Sequence, residues 1–330
     1  MEHTPTIRHT ELSPSTQPAT TWRSYLLILL AVSLVLYTPP FFLIRSPSYE
    51  HWCRSLGSVI QDYSFHTEGQ NADIVIFGDS TAMYGLDPNL ISAALGVKVV
   101  NLTGGLGAVL VTDDLRLHYY LAHNRPPRLI VFYFSPWNFD YHRTDMNKEP
   151  IYEGLDMLLR NAPRGEILTF AVEHPAQVLE FPLMFYRANL NTHLLNRSFL
   201  DAMWNQTVQT HGHVDAIGTV AYTPECVIPE SKIARTGFQS VQVLAQRYSS
   251  AQTGTFVYAS PIPACKNVSH AVELARELIP ADPPQVLSPD LFIDDLSYAH
   301  PFPNHVPEVS LHLACALRRL LDKAGPKPAR

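Results

Sequence analysis

The chain has 330 residues, of which 46% are hydrophobic and 16% charged, and its net charge is −6. That is enough apolar material for one large domain or two small ones, with fewer charges than the roughly 25% usual in globular proteins. No basic run or stripe appears, so the electrostatic footprint of nucleic-acid binding is excluded, and no period of 20–50 residues argues for a repeat architecture.

Residues 1–22, rich in Thr, Ser and Pro, read as a disordered tail. Tyr25 to Ile44 then contains no charged residue, and its 20 residues are about the length needed to cross a hydrocarbon core as a helix. A transmembrane signal-anchor is expected over residues 23–45, bracketed by Arg23 and Arg45, with Trp22 and Tyr25 suited to the interface. Pro39 and Pro40 are expected to kink or end this helix. A cleaved signal peptide is the competing reading. The length of the apolar run, and the lack of a small-x-small site close behind it, favour retention. A short tail, one span and a large following domain place the domain outside the cytoplasm. Residues 46–70 read as a linker or entry helix.

From residue 73 the pattern becomes strand, loop, helix, repeated. Ile74 to Phe77 is a short apolar run that breaks at Gly78 and delivers Asp79-Ser80 before a helix. Asp87-Pro88 is a helix start, with Asp as N-cap and Pro at the first position; the helix runs to Leu95 and stops at Gly96. Val97–Leu102 is a second strand, Thr112–Asn124 a helix, and Leu129–Phe134 a third strand. Residues 150–215 read as a helical insertion, with helices at Tyr152–Leu159 and Gln177–Leu190. Its aromatics Phe181, Phe185 and Tyr186 suit either core packing or the lining of an acyl or sugar cleft. A helix at Ser240–Tyr248, a strand at Thr255–Ala259, a helix at His270–Leu278 and an amphipathic helix at Pro307–Leu321 complete the chain. Strands alternating with helices imply an α/β fold with a parallel sheet covered on both faces.

The four cysteines form no CxxC, so zinc has little support. Cys226 and Cys265 pair if the domain is extracytoplasmic, and are otherwise buried thiols. Cys315 falls within the apolar pattern of the final helix and is expected in the core. His211-Gly-His213 lacks the carboxylate or histidine spacing of a metal site; neither a metal nor a cofactor is expected.

A serine at the carboxyl end of a buried strand is a candidate nucleophile if a base and an oxyanion site lie nearby. Gly78-Asp79-Ser80, Asn101-Leu-Thr-Gly104-Gly105-Leu-Gly107, Ser135-Pro-Trp-Asn138 and Asp294-Asp295-Leu-Ser-Tyr-Ala-His300-Pro301-Phe-Pro303 follow one another in that order. Together they make residues 71–325 resemble the SGNH (GDSL-type) hydrolase superfamily. The resemblance implies a flavodoxin-like three-layer sandwich with a central parallel sheet. It also implies Ser80 as nucleophile, His300 as base, Asp295 as its carboxylate partner, and an oxyanion hole that includes Gly105 and Asn138.

Several positions depart from the family pattern. Pro136 and Phe139 replace a Gly and an Asp in the third block. Gly107 is an alternative to Gly105. Ser297 stands where the acid is usual, three residues before His300, so Asp295 requires a two-residue insertion and a Ser–His dyad is an alternative. His305 is a second candidate base; it falls where the pattern usually has a glycine, and a histidine tolerates a left-handed backbone there better than a branched residue does. Asn101 is either a site residue or a cap on its loop, and Asp79 is expected to stabilise the turn.

By the resemblance, the expected function is a serine-dependent esterase or O-acyltransferase acting on acyl esters of a cell-envelope glycan. The alternative is a non-catalytic SGNH-fold envelope protein that binds a glycan or a membrane acyltransferase. Expected partners are an acylated glycan or other ester, the lipid bilayer and a membrane acyltransferase, with no nucleic acid.

Overall fold

Ile74–Gly78, an apolar run closed by glycine, forms the central strand β1. The computed structural model describes residues 22–46, 62–104, 115–138, 151–194, 197–230, 239–278 and 284–323. Around β1 lie β2 (Val99–Asn101), β3 (Leu129–Phe134) and β4 (Gly254–Ala259), all parallel, in the order β2-β1-β3-β4. Ile74 pairs with Val99 on one side and Leu129 on the other, and Leu129 pairs with Gly254.

The strands are largely apolar because helices cover both faces. On one face Val75, Phe77, Ile130 and Phe132 pack with α4 (Leu115–His123), α9 (Gln239–Tyr248) and α10 (Val268–Leu278). On the other, Ile74, Ile76 and Val131 pack with α2 (Ser80–Gly85), α3 (Pro88–Leu95) and α11 (Val306–Lys323). The start of α3 is as the sequence predicts. Asp87 accepts hydrogen bonds from the N–H groups of Asn89 and Leu90, Pro88 takes the first position, and Gly96 closes the helix at φ +68°. A two-stranded parallel pair, β5 (Ile262–Pro263) and β6 (Val286–Leu287), was not expected.

The expected insertion is helical. It holds α5 (Ile151–Asn161), α6 (Arg164–Glu173), α7 (Pro175–Leu194) and α8 (Arg197–Gln209). Phe170, Phe181 and Phe185 are buried in a separate core there, with Leu155 and Leu158. Phe181 and Phe185 are thus packing residues. Tyr63, Ser64 and Phe65, inside the expected linker, are also buried, and Asp62 pairs with Arg160 of α5.

The apolar N-terminal helix α1 spans Trp22–Leu43 and is long and apolar enough to be a membrane anchor or a signal sequence. It does not end at the prolines: Pro39 and Pro40 lie inside it. Pro40 has no N–H, so the Leu36 carbonyl loses the donor it would meet four residues on. The Tyr186 hydroxyl of α7 donates to that carbonyl at 2.9 Å. Just past the helix, Ile44 is buried among α5–α7. The Arg45 guanidinium donates to the carbonyls of Leu159 and Ala162 at the end of α5, at 2.6 and 3.1 Å.

Cys226 and Cys265 are joined in a disulfide. Cys315 departs from expectation: it is exposed. On α11 it sits beside Ala314 and Ala316, which face the sheet, but its own direction is toward solvent.

Candidate active site

Gly78 explains how Ser80 is presented. A Cβ on Gly78 would stand 1.7 Å from the Tyr133 carbonyl oxygen of β3, so only glycine lets β1 and β3 approach at this point. Asp79 follows as the N-cap of α2, with extended backbone. Its fully buried carboxylate accepts from the Thr81 N–H and hydroxyl through Oδ1. Through Oδ2 it accepts from the Ser135 N–H and hydroxyl and from the Asn138 amide. Asp79 is the peg that ties the β1 turn to the loop after β3, and Ser80 is the first residue beyond it.

The Ser80 hydroxyl lies 2.8 Å from His300 Nε2, and His300 Nδ1 lies 2.5 Å from Asp295 Oδ2. A carboxylate is an acceptor only, so Nδ1 carries the proton and donates to Asp295, leaving Nε2 to accept from the serine. Burial pushes the Asp295 carboxyl up. The hydrogen bond and electrostatic attraction of His300, with the donors of Ser297, outweigh that and hold it below its usual value. The Tyr84 ring meets the His300 ring edge-on at 4.8 Å.

The five-residue separation of Asp295 and His300 is absorbed by the loop itself. Leu296 and Tyr298 adopt φ of +65° and +57°. Asp295 Oδ1 accepts from the Ser297 N–H, and the Ser297 hydroxyl oxygen accepts from the N–H groups of Ala299 and His300. The Ile293 N–H donates to the His300 carbonyl and closes the loop. Ser297 therefore shapes the turn, while Asp295 faces the imidazole. Tyr298 stacks on Tyr222 at 4.7 Å, in the same cluster as Cys265 and Trp137. The disulfide thus supports the wall behind this loop.

Other expected site residues are placed as follows. Asn138 ends a short turn after β3, and its amide donates to Asp79 at 2.7 Å. Asn101 is fully buried; its amide donates to the Ala82 carbonyl and its carbonyl oxygen accepts from the Thr103 N–H. It fastens the end of β2 to α2, the capping role of its two alternatives. Gly105 and Gly107 lie outside the described residues. His305 is in a 3-10 turn, not left-handed backbone, and its imidazole faces Asn304 rather than Ser80. The turn continues directly into α11, which fixes helical angles there. His213 lies between the Met83 carbonyl and Asp215. Among the described residues no group of three His, Cys, Asp or Glu side chains is placed to hold a metal ion.

Comparison with family models, curated proteins and solved structures finds no match. Tyr84 is the contact that sequence reasoning missed. Its signal was present: it lies four residues after Ser80 on a helix, and i and i+4 share a face.

Proposed function

We propose that this chain is a membrane-anchored serine esterase or O-acyltransferase of the SGNH type, acting on acyl esters of a cell-envelope glycan. One observation carries the reading: Ser80, His300 and Asp295 form a continuous hydrogen-bonded relay at 2.8 and 2.5 Å. The sheet order β2-β1-β3-β4, with Ser80 just beyond the carboxyl end of β1, also supports it.

In this reading Ser80 Oγ attacks the ester carbonyl carbon as its proton passes to His300 Nε2. Asp295 holds the imidazole in the required tautomer and stabilises the imidazolium. The developing oxyanion needs preorganised donors. The Ser80 N–H, which has no helical acceptor at the first position of α2, the Asn138 amide and a glycine of the second block are the candidates. Collapse breaks the bond to the leaving alkoxide, which takes the proton from His300. Water or a sugar hydroxyl then attacks the acyl-serine carbonyl as its proton passes to His300; collapse breaks the acyl–Oγ bond, Ser80 recovers the proton from His300, and the acyl group leaves as acid or as a new ester.

The burial of Ile44 and the two Arg45 hydrogen bonds support retention of α1, because a cleaved leader would take part of the helical core with it. The disulfide supports a domain outside the cytoplasm. The glycan substrate rests on the family resemblance alone. The test is hydrolysis of an acetyl ester by the full-length protein in lipid or detergent. Turnover by wild type that disappears in folded Ser80→Ala supports the enzyme; equal turnover in both rejects it.

A further inference from the structure

Pro40 and Tyr186 bear on where the bilayer ends. An α-helix rises about 1.5 Å per residue, so Leu36 lies roughly 21 Å along α1 from Trp22, well within a hydrocarbon core of about 30 Å. Phe41, near the outer edge on the same count, meets the Phe181 ring of α7 at 5.5 Å. Tyr186, five residues further along α7, reaches the Leu36 carbonyl. Helix α7 therefore descends alongside α1 from the level of Phe41 to that of Leu36.

The outward surface of this helical layer carries large apolar side chains among exposed charged ones such as Glu166, Glu173, Glu180 and Arg187. Leu168 and Val172 of α6 are 67% and 73% exposed, and Leu179 and Leu183 of α7 are 64% and 59% exposed. Each pair has i,i+4 spacing and so shares one helix face. Leu168 also lines an open pocket of about 450 Å³ beside the exit of α1, with Phe41, Ile44 and Ile167 as apolar wall and Arg45 and Arg164 as its cations. Apolar side chains with guanidinium groups beside them match the acyl and headgroup levels of a lipid leaflet.

We propose that α6 and α7 form an interfacial membrane-contact element, seating Leu168, Val172, Leu179 and Leu183 in the outer leaflet beside α1. The inference rests on α1 being a retained membrane anchor. Glu180 and Arg187 are exposed within one turn of Leu183, so this face is mixed in polarity and suits the interface rather than the hydrocarbon core. The occupant of this face is lipid, because Leu168 shares a pocket wall with Phe41 and Ile44 at the exit of the apolar helix. The element would hold the catalytic domain at fixed height and tilt over the bilayer, against the freedom of a single-helix tether.

The test uses the full-length protein in lipid nanodiscs, with Cys53→Ser and Cys315→Ser leaving no cysteine outside the Cys226–Cys265 disulfide. An environment-sensitive fluorophore is placed singly at Leu29→Cys, Leu168→Cys, Leu183→Cys and, on α9 packed against β4, Val243→Cys. Variants are used where thermal unfolding matches the parent. The proposal expects blue-shifted emission at 168 and 183, with quenching by doxyl-labelled lipid comparable to that at 29, and neither at 243. Quenching at 29 with water-like emission at 168 and 183 overturns it while leaving the anchor intact, and means that solvent or a protein covers the face. No quenching at 29 removes the anchor reading itself, and the proposal with it.

Discussion

The Asp79 carboxylate accepts a 2.7 Å hydrogen bond from the Asn138 amide, across the sheet from the end of β1 to the turn after β3. The residue beside the candidate nucleophile thereby positions the candidate oxyanion donor. Asp79 accepts from four other donors as well, and is fully buried. Asp79→Ala leaves several buried donors without an acceptor, each costing about 1–3 kcal/mol when nothing replaces it. We expect a loss of thermal stability together with a loss of turnover larger than the unfolded fraction explains. A variant of wild-type stability and activity would show that the peg is dispensable.

Asp295→Asn tests the far end of the relay. An amide at this position cannot hold the imidazole in the same tautomer, and comparable changes in triads lower kcat by about 10⁴. The same substitution has a stability signature. Asp295 titrates below its ordinary value of about 3.8 in the folded protein. A depressed carboxyl contributes stability that is present above the unfolded value and lost as pH falls through the folded one. Denaturation as a function of pH should therefore show a flatter acid limb below about pH 4 in Asp295→Asn than in wild type. Identical limbs would show that the contacts of His300 and Ser297 do not lower the Asp295 carboxyl in the folded protein.

His300→Ala and His305→Ala should differ in kind. His300 touches both Ser80 and Asp295, so its loss should lower kcat by orders of magnitude, leaving only binding and oxyanion effects. His305 contacts Asn304 on the surface side of its turn, and its removal should leave kcat within about twofold, as surface substitutions remote from a site usually do. The reverse pattern would move the base to residue 305.

The Tyr186 hydroxyl and Pro40 form a testable pair. Tyr186→Phe should destabilise by about 1 kcal/mol, the typical net value of one hydrogen bond. Pro40→Ala supplies an N–H for the Leu36 carbonyl within the helix. In that background Tyr186→Phe should cost less, so a double-mutant cycle should give a nonzero coupling energy. Strict additivity in thermal unfolding would mean that the hydroxyl does not replace the missing helical donor.

Much of this was legible in the sequence because it depended on local patterns. The apolar runs at Ile74–Phe77 and Leu129–Phe134, and the Asp87-Pro88 cap, lead directly to their elements. Ser80 and His300 were legible as members of ordered blocks. Asp295 was left open because the turn that brings it to His300 depends on positive φ at Leu296 and Tyr298, residues whose side chains do not announce it. The Cys226–Cys265 pairing depends on how two distant segments meet. The continuation of α1 past Pro40 depends on a tyrosine 146 positions later in the chain finding the orphaned carbonyl. Cys315 was misplaced because apolar periodicity fixes a helix face only to within a residue at its margin.

The central claim is that Ser80 is a nucleophile activated by His300, and covalent trapping tests it most directly. The full-length protein is treated with a fluorophosphonate, digested, and the modified residue located by mass spectrometry. The account predicts a single phosphonylated site at Ser80, formed by displacement of fluoride, absent in Ser80→Ala and strongly slowed in His300→Ala. A folded wild-type protein that remains unmodified at Ser80, or one labelled equally well without His300, would contradict it.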